Sequence, residues 1–570
     1  MKYNKIKCLF ALLLAGLMHI SCADILDIKD QSSMSETYVW EDTELAKLFL
    51  NELYADRPGY EASNNPFLNN ITDEGRNGHA KTGADDVLRG VWTSSTSLGN
   101  WMSFWAYTQV RKANEFIYGL ENKATFDAAT RDQYLGEAKF LRALLYFDMV
   151  KRYGGVPLID KPQNLEDDLF IRRATVDETF EFILKDLQVA IENLPRRDKM
   201  EGGRATLGAA WALRSRVLLY WASPLFNPGN NRERWKDAAD AAYEVIKLAK
   251  LGDYQLSEDL NIWSTRNNRE SIFEKQYLLG FKEHGWDSMH KPLSLAHNVG
   301  TKTNPTQEMV DAFPMSNGLL PHQENSGYDP QNPYAGRDKR FYADIVYHLS
   351  EYCGRPQNCS VEGAELGLVD ACGSPFCSHT GYYIRKGINE ANTLYDRQTG
   401  CEQSFIEIRY AEVLLNYAEA LNEYEGPGDK VFEALDEIRH RAGITTDVKD
   451  ILNDSSDKEE VRDLIYNERR VELCFEQHRY FDIRRWKIAK EVMDGKRMHG
   501  MQIIAKRDSE GNLLKDSEGN YMWEYDPTMD IDKFLGGANF TCVFEDYMYW
   551  MPIPYSELTK NPNLTQNDEW

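Results

Sequence analysis

The sequence lacks any excess of positive charge, and its hydrophobic residues are not gathered into long runs. Lys and Arg number 66 against 90 Asp and Glu, which gives a formal net charge of -24 at pH 7. A chain this acidic repels phosphate backbones, so we expect no nucleic-acid partner. After the N-terminal segment the apolar runs are too short for a bilayer, which takes about 18 or more residues. The sequence therefore predicts no transmembrane helix in the mature chain.

Motifs of catalysis are also missing. The sequence contains no G-x-S-x-G nucleophile turn, no H-E-x-x-H metal motif and no phosphate-binding glycine loop. We therefore expect a protein that is not an enzyme and that carries neither cofactor nor metal. Aromatic residues, in contrast, are plentiful, with 31 Tyr, 24 Phe and 13 Trp. So many rings leave room for a surface that stacks on a ligand.

One charged stretch, residues 462–485, invites a catalytic interpretation. Its acids are Glu468, Glu472, Glu476 and Asp482. Two carboxylates are enough for glycoside hydrolysis, but arginines are interleaved with these acids at spacings that form ion pairs on helix faces. Ion pairing lowers a carboxyl pKa, which is the wrong direction for a general acid. We interpret the stretch, with His440 and His478, as structural.

The first 22 residues are typical of an export signal. Three lysines precede a short apolar segment, residues 9–17, and the segment leads to Ser21-Cys22. A small residue directly before a cysteine resembles a bacterial lipobox, so residues 1–21 are predicted to be a signal peptide and Cys22 to be lipidated. Residues 22–42 would then form a tether that anchors the protein to a membrane through lipid. An ordinary secretory signal is the alternative.

Cysteines cluster in one region of the exported chain. The clustered residues are Cys353, Cys359, Cys372 and Cys377. In an exported protein such a cluster usually forms disulfides, so we predict two that close a surface loop. Zinc binding with the nearby His379 is the alternative, although paired C-x2-C spacings are missing. Cys474 lies in a helical pattern and is predicted to be a buried free thiol.

Helical periodicity recurs in pairs separated by Gly and Pro. The predicted helices cover residues 134–152, 175–194, 207–222, 235–250, 405–423 and 431–441. The pattern predicts a mainly α fold, with tetratricopeptide-like helical hairpins, a large irregular loop-rich half and a few short strands. The predicted parts are helical residues 43–255, an irregular ligand-facing insert at 256–400, helical residues 401–497 and an irregular C-terminal segment at 498–570.

Several short motifs occur in order along the chain. Arg111, Ala113 and Asn114 form an R-x-A-N motif. The further motifs are residues 137–143, 153–157, 408–412, 438–443, 468–473, 479–482, 485–486, 552–554, 561–562 and 566–567. In this order, and together with the lipobox, they resemble the SusD-like (also called RagB-like) family of outer-membrane nutrient-binding lipoproteins over nearly the whole chain.

The resemblance implies a tetratricopeptide-type helical half and an irregular half that faces the ligand. It also implies binding without catalysis, at the cell surface, as a lid over a TonB-dependent SusC-like outer-membrane transporter that receives the captured oligosaccharide. Family ligands are usually glycans and sometimes peptides. A peptide-binding member of the same fold and a surface glycoside hydrolase are therefore the alternatives.

Sugar rings stack on exposed aromatic side chains while polar side chains bond their hydroxyl groups, so we looked for loop aromatics beside polar residues. The predicted glycan-binding residues are Trp286, Trp263, Tyr328, Trp92, Arg76, His79, Lys81 and Asp287. Trp286 is the strongest single candidate, because residues 282–287 are polar around it. Trp101 and Trp105 follow a helical pattern and are predicted to be core.

Overall fold

The computed structural model of the protein describes residues 36–60, 68–78, 83–96, 102–296, 300–362, 370, 377–392, 400–452, 457–533 and 540–570. Within these ranges the chain is mainly helical, and each strand belongs to a two-stranded antiparallel sheet. The predicted fold class is therefore confirmed. None of the helices described in these ranges is long and apolar enough to cross a membrane. The predicted signal peptide and Cys22 lie outside the described residues.

The N-terminal part of the chain forms helices that pack side by side. They are α1 (Glu36–Val39), α2 (Thr43–Ala55), α3 (Gly83–Leu88), α4 (Tyr107–Asn122), α5 (Ala128–Tyr153), α6 (Val176–Asn193), α7 (Leu207–Ala222) and α8 (Glu233–Lys250). α5 packs on α6 and α7 packs on α8, as the paired periodicity predicts. Their apolar faces form the larger of two main hydrophobic cores.

Local sequence explains where these helices begin and end. The Thr175 side chain accepts from the Glu178 N–H, and the Glu178 carboxylate accepts from the Thr175 N–H, which forms a capping box at the start of α6. Thr206 caps α7 by accepting from the Ala209 N–H at 3.1 Å. α5 ends at Gly154, whose φ of 75° lies in the left-handed region that favours glycine.

The C-terminal part adds further helices around a second core. They are α9 (Trp286–His290), α10 (Leu293–Ala296), α11 (Gln307–Ala312), α12 (Lys339–Asp344), α13 (Tyr410–Tyr424), α14 (Asp429–Arg441), α15 (Val448–Ile451), α16 (Lys458–Glu472), α17 (Arg479–Arg485), α18 (Ala489–Met493) and α19 (Tyr555–Lys560). α13 packs against α8, α14 and α16, so the C-terminal helices extend the first helical layer. The second core collects aromatic side chains from the irregular region between residues 277 and 388.

The strands are short and connect distant parts of the chain. They are β1 (Gly75–Arg76), β2 (Ser271–Lys275), β3 (Asn304–Pro305), β4 (Ile345–Val346), β5 (Glu351–Tyr352), β6 (Arg355–Pro356), β7 (Tyr383–Ile384), β8 (Phe405–Arg409), β9 (His499–Ala505) and β10 (Trp523–Asp530). β1 pairs with β3 and β2 with β8. These pairings tie the irregular region to the helical part.

Two segments that the sequence predicts to be helical have a different conformation in the structure. Residues 405–409 form β8 rather than the first turn of a helix, because they alternate in character and pair with β2. The charged stretch 462–485 is divided between α16 and α17. Phe475 and Gln477 interrupt it with φ values of 61° and 67°, which no helix accommodates.

Candidate functional site

The strongest sequence candidates, Trp286 and Trp263, lie inside the protein. Each side chain is 6% exposed. The Trp286 ring lies 4.2 Å from the His290 ring and 4.8 Å from the Tyr60 ring, and its Nε1–H donates to the Lys386 carbonyl at 3.4 Å. Both tryptophans border a cavity of about 30 Å³, roughly the volume of one water molecule. A sugar ring does not fit this tryptophan cavity, so we assign both side chains to packing.

Asp287 and Arg76 are also occupied by partners within the protein. Asp287 accepts from the side chains of Gln403, at 2.7 Å, and Asn392, at 2.8 Å. Burial raises the pKa of this carboxyl group. Arg76 is 2% exposed and donates to Asp532 at 3.0 Å. Both side chains therefore hold the fold together and offer no group to a ligand.

The remaining predicted residues differ in where they lie. Tyr328 is half-buried under the Arg337 guanidinium, 5.9 Å from its ring centre. His79, Lys81 and Trp101 lie outside the described residues. Trp105 packs against the first core, as predicted.

The predicted disulfides are not formed among the described cysteines. Cys353 is a free thiol at the turn between β5 and β6, and no disulfide joins it, Cys359 and Cys377 to one another. Two disulfides among four cysteines would need at least one such bond, since only Cys372 lies outside the described residues. Cys359 is fully enclosed in the second core, while Cys353 only borders it. Cys474 is a buried free thiol, as predicted.

The charged stretch 462–485 is structural. Asp482 pairs with Arg485 at 2.8 Å, as helix spacing suggests, but Glu468 and Glu472 find their partners elsewhere. Glu468 pairs with Arg340 and Arg439, and Glu472 pairs with Arg340 and Arg409, all from other elements. Burial alone would raise the pKa of each carboxyl group, yet the arginines hold both pKa values below the ordinary value. Carboxylates held in their ionised form cannot act as general acids.

Trp92, another predicted binding residue, lies at a different site. It forms the floor of a surface cavity of about 400 Å³, which we call the hydroxyl cavity. The cavity is lined by Trp92, Thr93, Ser94, Ser95, Thr96, Met102, Ser103, Tyr153, Met551, Pro552, Pro554, Tyr555 and Ser556. Small-molecule sites typically enclose about 300–1,000 Å³, so this volume suits a ligand of a few rings at most.

The fold brings three separate segments to the hydroxyl cavity. Residues 92–96 follow α3, Tyr153 is the last residue of α5, and Tyr555 is the first residue of α19. The Tyr555 N–H donates to the Ser94 carbonyl at 3.1 Å, which joins two of the walls. The Thr93 and Thr96 hydroxyl oxygens lie 3.2 Å apart in a tight turn. The walls therefore carry hydroxyl groups held by local backbone structure.

Two residues that line this cavity, Trp92 and Tyr153, are themselves buried, at 3% and 1% exposure. Within the part of the chain that the structure describes, neither the Trp92 Nε1–H nor the Tyr153 hydroxyl makes a hydrogen bond, but both atoms are enclosed by protein. The polar groups that the cavity presents to a ligand are instead the hydroxyl groups of the exposed Thr93, Ser95 and Ser556.

Tyr555 supplies the exposed ring that the predicted tryptophans do not. Its side chain is 56% exposed at the cavity rim. On the other side of Trp92, the Trp570 ring supports the floor at a centroid distance of 4.4 Å. Sequence reasoning missed Tyr555 because its candidates came from residues 76–92 and 255–400 and not from the C-terminal segment. The available signal was an aromatic residue beside Ser556, directly after Pro552 and Pro554.

A larger cleft, of about 1,090 Å³, lies among α7, α13, α16 and α18. Four aromatic residues line it, the buried Trp235 together with Tyr424, Tyr466 and Trp486. Tyr466 and Trp486 stack on each other at 3.6 Å, and the Arg232 guanidinium lies 4.9 Å from the Tyr424 ring centre. The Trp486 Nε1–H donates to Glu419, and Arg462 pairs with Glu423. Since these rings and charges already have partners, the hydroxyl cavity is the better candidate for a sugar.

Two family models match the chain. Residues 269–570 match the SusD family, and residues 24–219 match a model described as starch-binding and associating with the outer membrane. A SusD-like protein from Formosa agariphila, P38, is 26% identical over 86% of this chain and 93% of its own length.

Solved structures agree with the family match. A SusD-like protein from Bacteroides fragilis superposes with a TM-score of 0.75 at 28% identity, covering 94% of this chain and 99% of the other. A SusD-like carbohydrate binding protein from the same species gives a TM-score of 0.74 at 24% identity, over 92% and 99% of the two chains. With one family model matching more than half of its residues, the chain belongs to the SusD family.

Proposed function

We propose that the protein binds an oligosaccharide in the hydroxyl cavity and does not cleave it. The observation that carries the proposal is a surface cavity of about 400 Å³ whose wall carries the exposed hydroxyl groups of Thr93, Ser95 and Ser556. An exposed Tyr555 ring beside them supplies the apolar contact that a sugar face requires. The starch-binding description of the matching family model agrees with this chemistry.

The proposal of binding without catalysis rests on the carboxylates. Hydrolysis of a glycosidic bond needs two of them, one on each side of the bond. The residues that line the hydroxyl cavity include no Asp and no Glu among those described. The acids of the charged stretch are buried in ion pairs instead. A bound oligosaccharide would thus meet hydroxyl groups, rings and methionine side chains, and no carboxylate of the described lining.

We place the protein at the cell surface, held by lipid on Cys22 in the outer membrane, where it passes oligosaccharide to a SusC-like TonB-dependent transporter. Family membership and the sequence around Ser21-Cys22 support this location and role. Cell fractionation tests the anchor. Cys22→Ala should move the protein from the membrane to the soluble fraction, and unchanged membrane retention would contradict the anchor.

Ligand class is tested with the purified protein on a glycan array, with a peptide library as the counter-screen. We expect oligosaccharide binding without release of reducing sugar. Reducing sugar in the supernatant would establish a hydrolase instead. Binding to peptides alone would establish the peptide-binding alternative. The strongest array ligand then serves in the titrations below.

A further inference from the structure

Three side chains that can bind a metal ion lie close together at the surface of the helical part of the protein. Asp436 and His440 occupy consecutive turns of α14, and Asp447 directly precedes α15. Their ligand atoms lie within 4.8 Å of one another. Residues four apart share one face of a helix. The loop after α14 returns Asp447 to the same face.

We propose that Asp436, His440 and Asp447 bind a divalent transition-metal ion such as Zn²⁺. An imidazole nitrogen with two carboxylate oxygens is a donor set that suits zinc, nickel or copper. Ligand atoms around a tetrahedral zinc, with bonds of about 2.0–2.2 Å, lie about 3.3–3.6 Å apart. His440 Nε2 and the Asp447 carboxylate already lie 3.0 Å apart, and all three ligand atoms lie within 4.8 Å of one another. The exposed His440 and Asp447 side chains therefore need to move by about 1 Å to reach this geometry.

The local structure holds these side chains toward one another. Asp436 accepts a hydrogen bond from the Val448 N–H at 2.8 Å, which fixes one carboxylate oxygen and orients the group. Asp447 stands at the N-cap position of α15 but makes no capping hydrogen bond. Its carboxylate instead lies 3.0 Å from His440 Nε2. A capping residue that leaves its cap unmade indicates another use for the carboxylate.

The neighbouring arginine side chains do not cover the three proposed metal ligands. Arg439 and Arg441 flank His440 in the sequence, but both side chains turn inward to pair with buried glutamates. The side chains of His440 and Asp447 are 48% and 57% exposed. A cation can therefore reach two like-charged carboxylates without displacing an arginine. It would also connect α14 to α15 across the intervening loop.

Calorimetric titration of the purified protein with Zn²⁺ tests the proposal. We expect one site in the parent protein, and at least about a tenfold loss of affinity in His440→Ala, since even residues behind a metal ligand cost 10–100-fold. His499→Ala is the matched control. His499 is a similarly exposed histidine, 42%, with a single carboxylate partner, Glu308 at 2.7 Å.

A second measurement distinguishes the loss of metal binding from a change in stability caused by the substitution itself. Zn²⁺ should raise the melting temperature of the parent and of His499→Ala, and EDTA should reverse the rise. Asp447→Asn should lose the rise while melting like the parent in EDTA. Equal zinc affinity in His440→Ala and the parent would overturn the proposal, as would an equal loss in His499→Ala.

Discussion

Two regions of this protein are rich in aromatic residues, but one is tightly packed and the other borders an open cavity. The tryptophan cavity at Trp263 and Trp286 holds about 30 Å³, and its rings are closed in by neighbours. The hydroxyl cavity at Trp92 and Tyr153 holds about 400 Å³ and opens beside an exposed tyrosine. Trp286 donates its N–H to a carbonyl, whereas the Trp92 N–H has no partner in the described chain.

The difference shows which properties separate a binding region from a packed one. Aromatic residues among polar neighbours occur in both, so composition does not distinguish them. Free volume and the exposure of a ring do. A packed ring stabilises the fold, because its removal leaves a void. An exposed ring at an open cavity, such as Tyr555, contributes little to the fold and remains available to a ligand.

The largest expected effect concerns the packed region. Trp286→Ala should lower the free energy of unfolding by about 3–5 kcal/mol, as truncation of a buried tryptophan generally does. Urea unfolding measures it. The control is Tyr555→Ala, an exposed residue, which should stay within about 0.5 kcal/mol of the parent. Parent-like stability of Trp286→Ala would remove the distinction between the two regions.

The buried carboxyl group of Glu74 should make the stability of the protein depend on pH. Glu74 is 1% exposed, and neither carboxylate oxygen has a partner within the described residues. Burial and the neighbouring Asp73 raise its pKa from 4.5 to about 8, against the opposing arginines Arg479 and Arg470. It therefore keeps its proton at pH values where the unfolded chain has lost it.

The sign of the resulting pH dependence follows from proton binding. Between pH 4.5 and about 8 the folded state binds more protons than the unfolded state, so this contribution to stability is lost as pH rises. Glu74→Gln should remove a decline on the order of a few kcal/mol, measured by urea unfolding at pH 5 and pH 8. Glu459→Gln, at an exposed position, should keep the parent's decline. A full decline in Glu74→Gln would refute the protonated state.

Tyr555 should matter for binding and not for stability. Truncation of an aromatic anchor commonly costs about 2 kcal/mol or more, so Tyr555→Ala should weaken oligosaccharide binding about 30-fold in calorimetry. Tyr118→Ala is the matched control, because Tyr118 is 45% exposed on α4, away from the cavity. Equal losses in the two variants would indicate a nonspecific effect and contradict the assignment.

The smallest effect concerns one hydroxyl group. Ser95→Ala should weaken binding by about 1 kcal/mol, roughly fivefold, by removing one hydroxyl group that faces the sugar. Stability should hardly change, because the Ser95 side chain is exposed. Tyr146→Phe is the converse. Its hydroxyl is bonded to the Ile159 backbone at 2.8 and 3.2 Å, so its loss should lower stability and leave binding intact.

The helical part of the fold could be predicted from sequence because its signals are local. Periodicity, the Thr206 cap and the stop at Gly154 all act within a few residues of the helix ends. The same reasoning failed at residues 405–409, where pairing with β2, more than 130 residues earlier, decides the conformation. Long-range pairing leaves no local signal.

The candidate site was less accessible to sequence reasoning. Trp92 was identified, but the cavity also needs Tyr153 from a helix end and Tyr555 from the C-terminal segment. These residues lie more than 400 positions apart and meet only through the fold. Conversely, Trp286 has polar neighbours in sequence but aromatic neighbours in space. Burial is a property of the folded chain, and sequence neighbours do not report it.

A crystal structure with the strongest array oligosaccharide bound tests the central claim most directly. The account predicts a sugar ring against the exposed face of Tyr555. It also predicts sugar oxygens about 2.5–3.0 Å from the hydroxyl oxygens of Ser95 and Ser556. An oligosaccharide bound elsewhere, with the hydroxyl cavity empty, would contradict it.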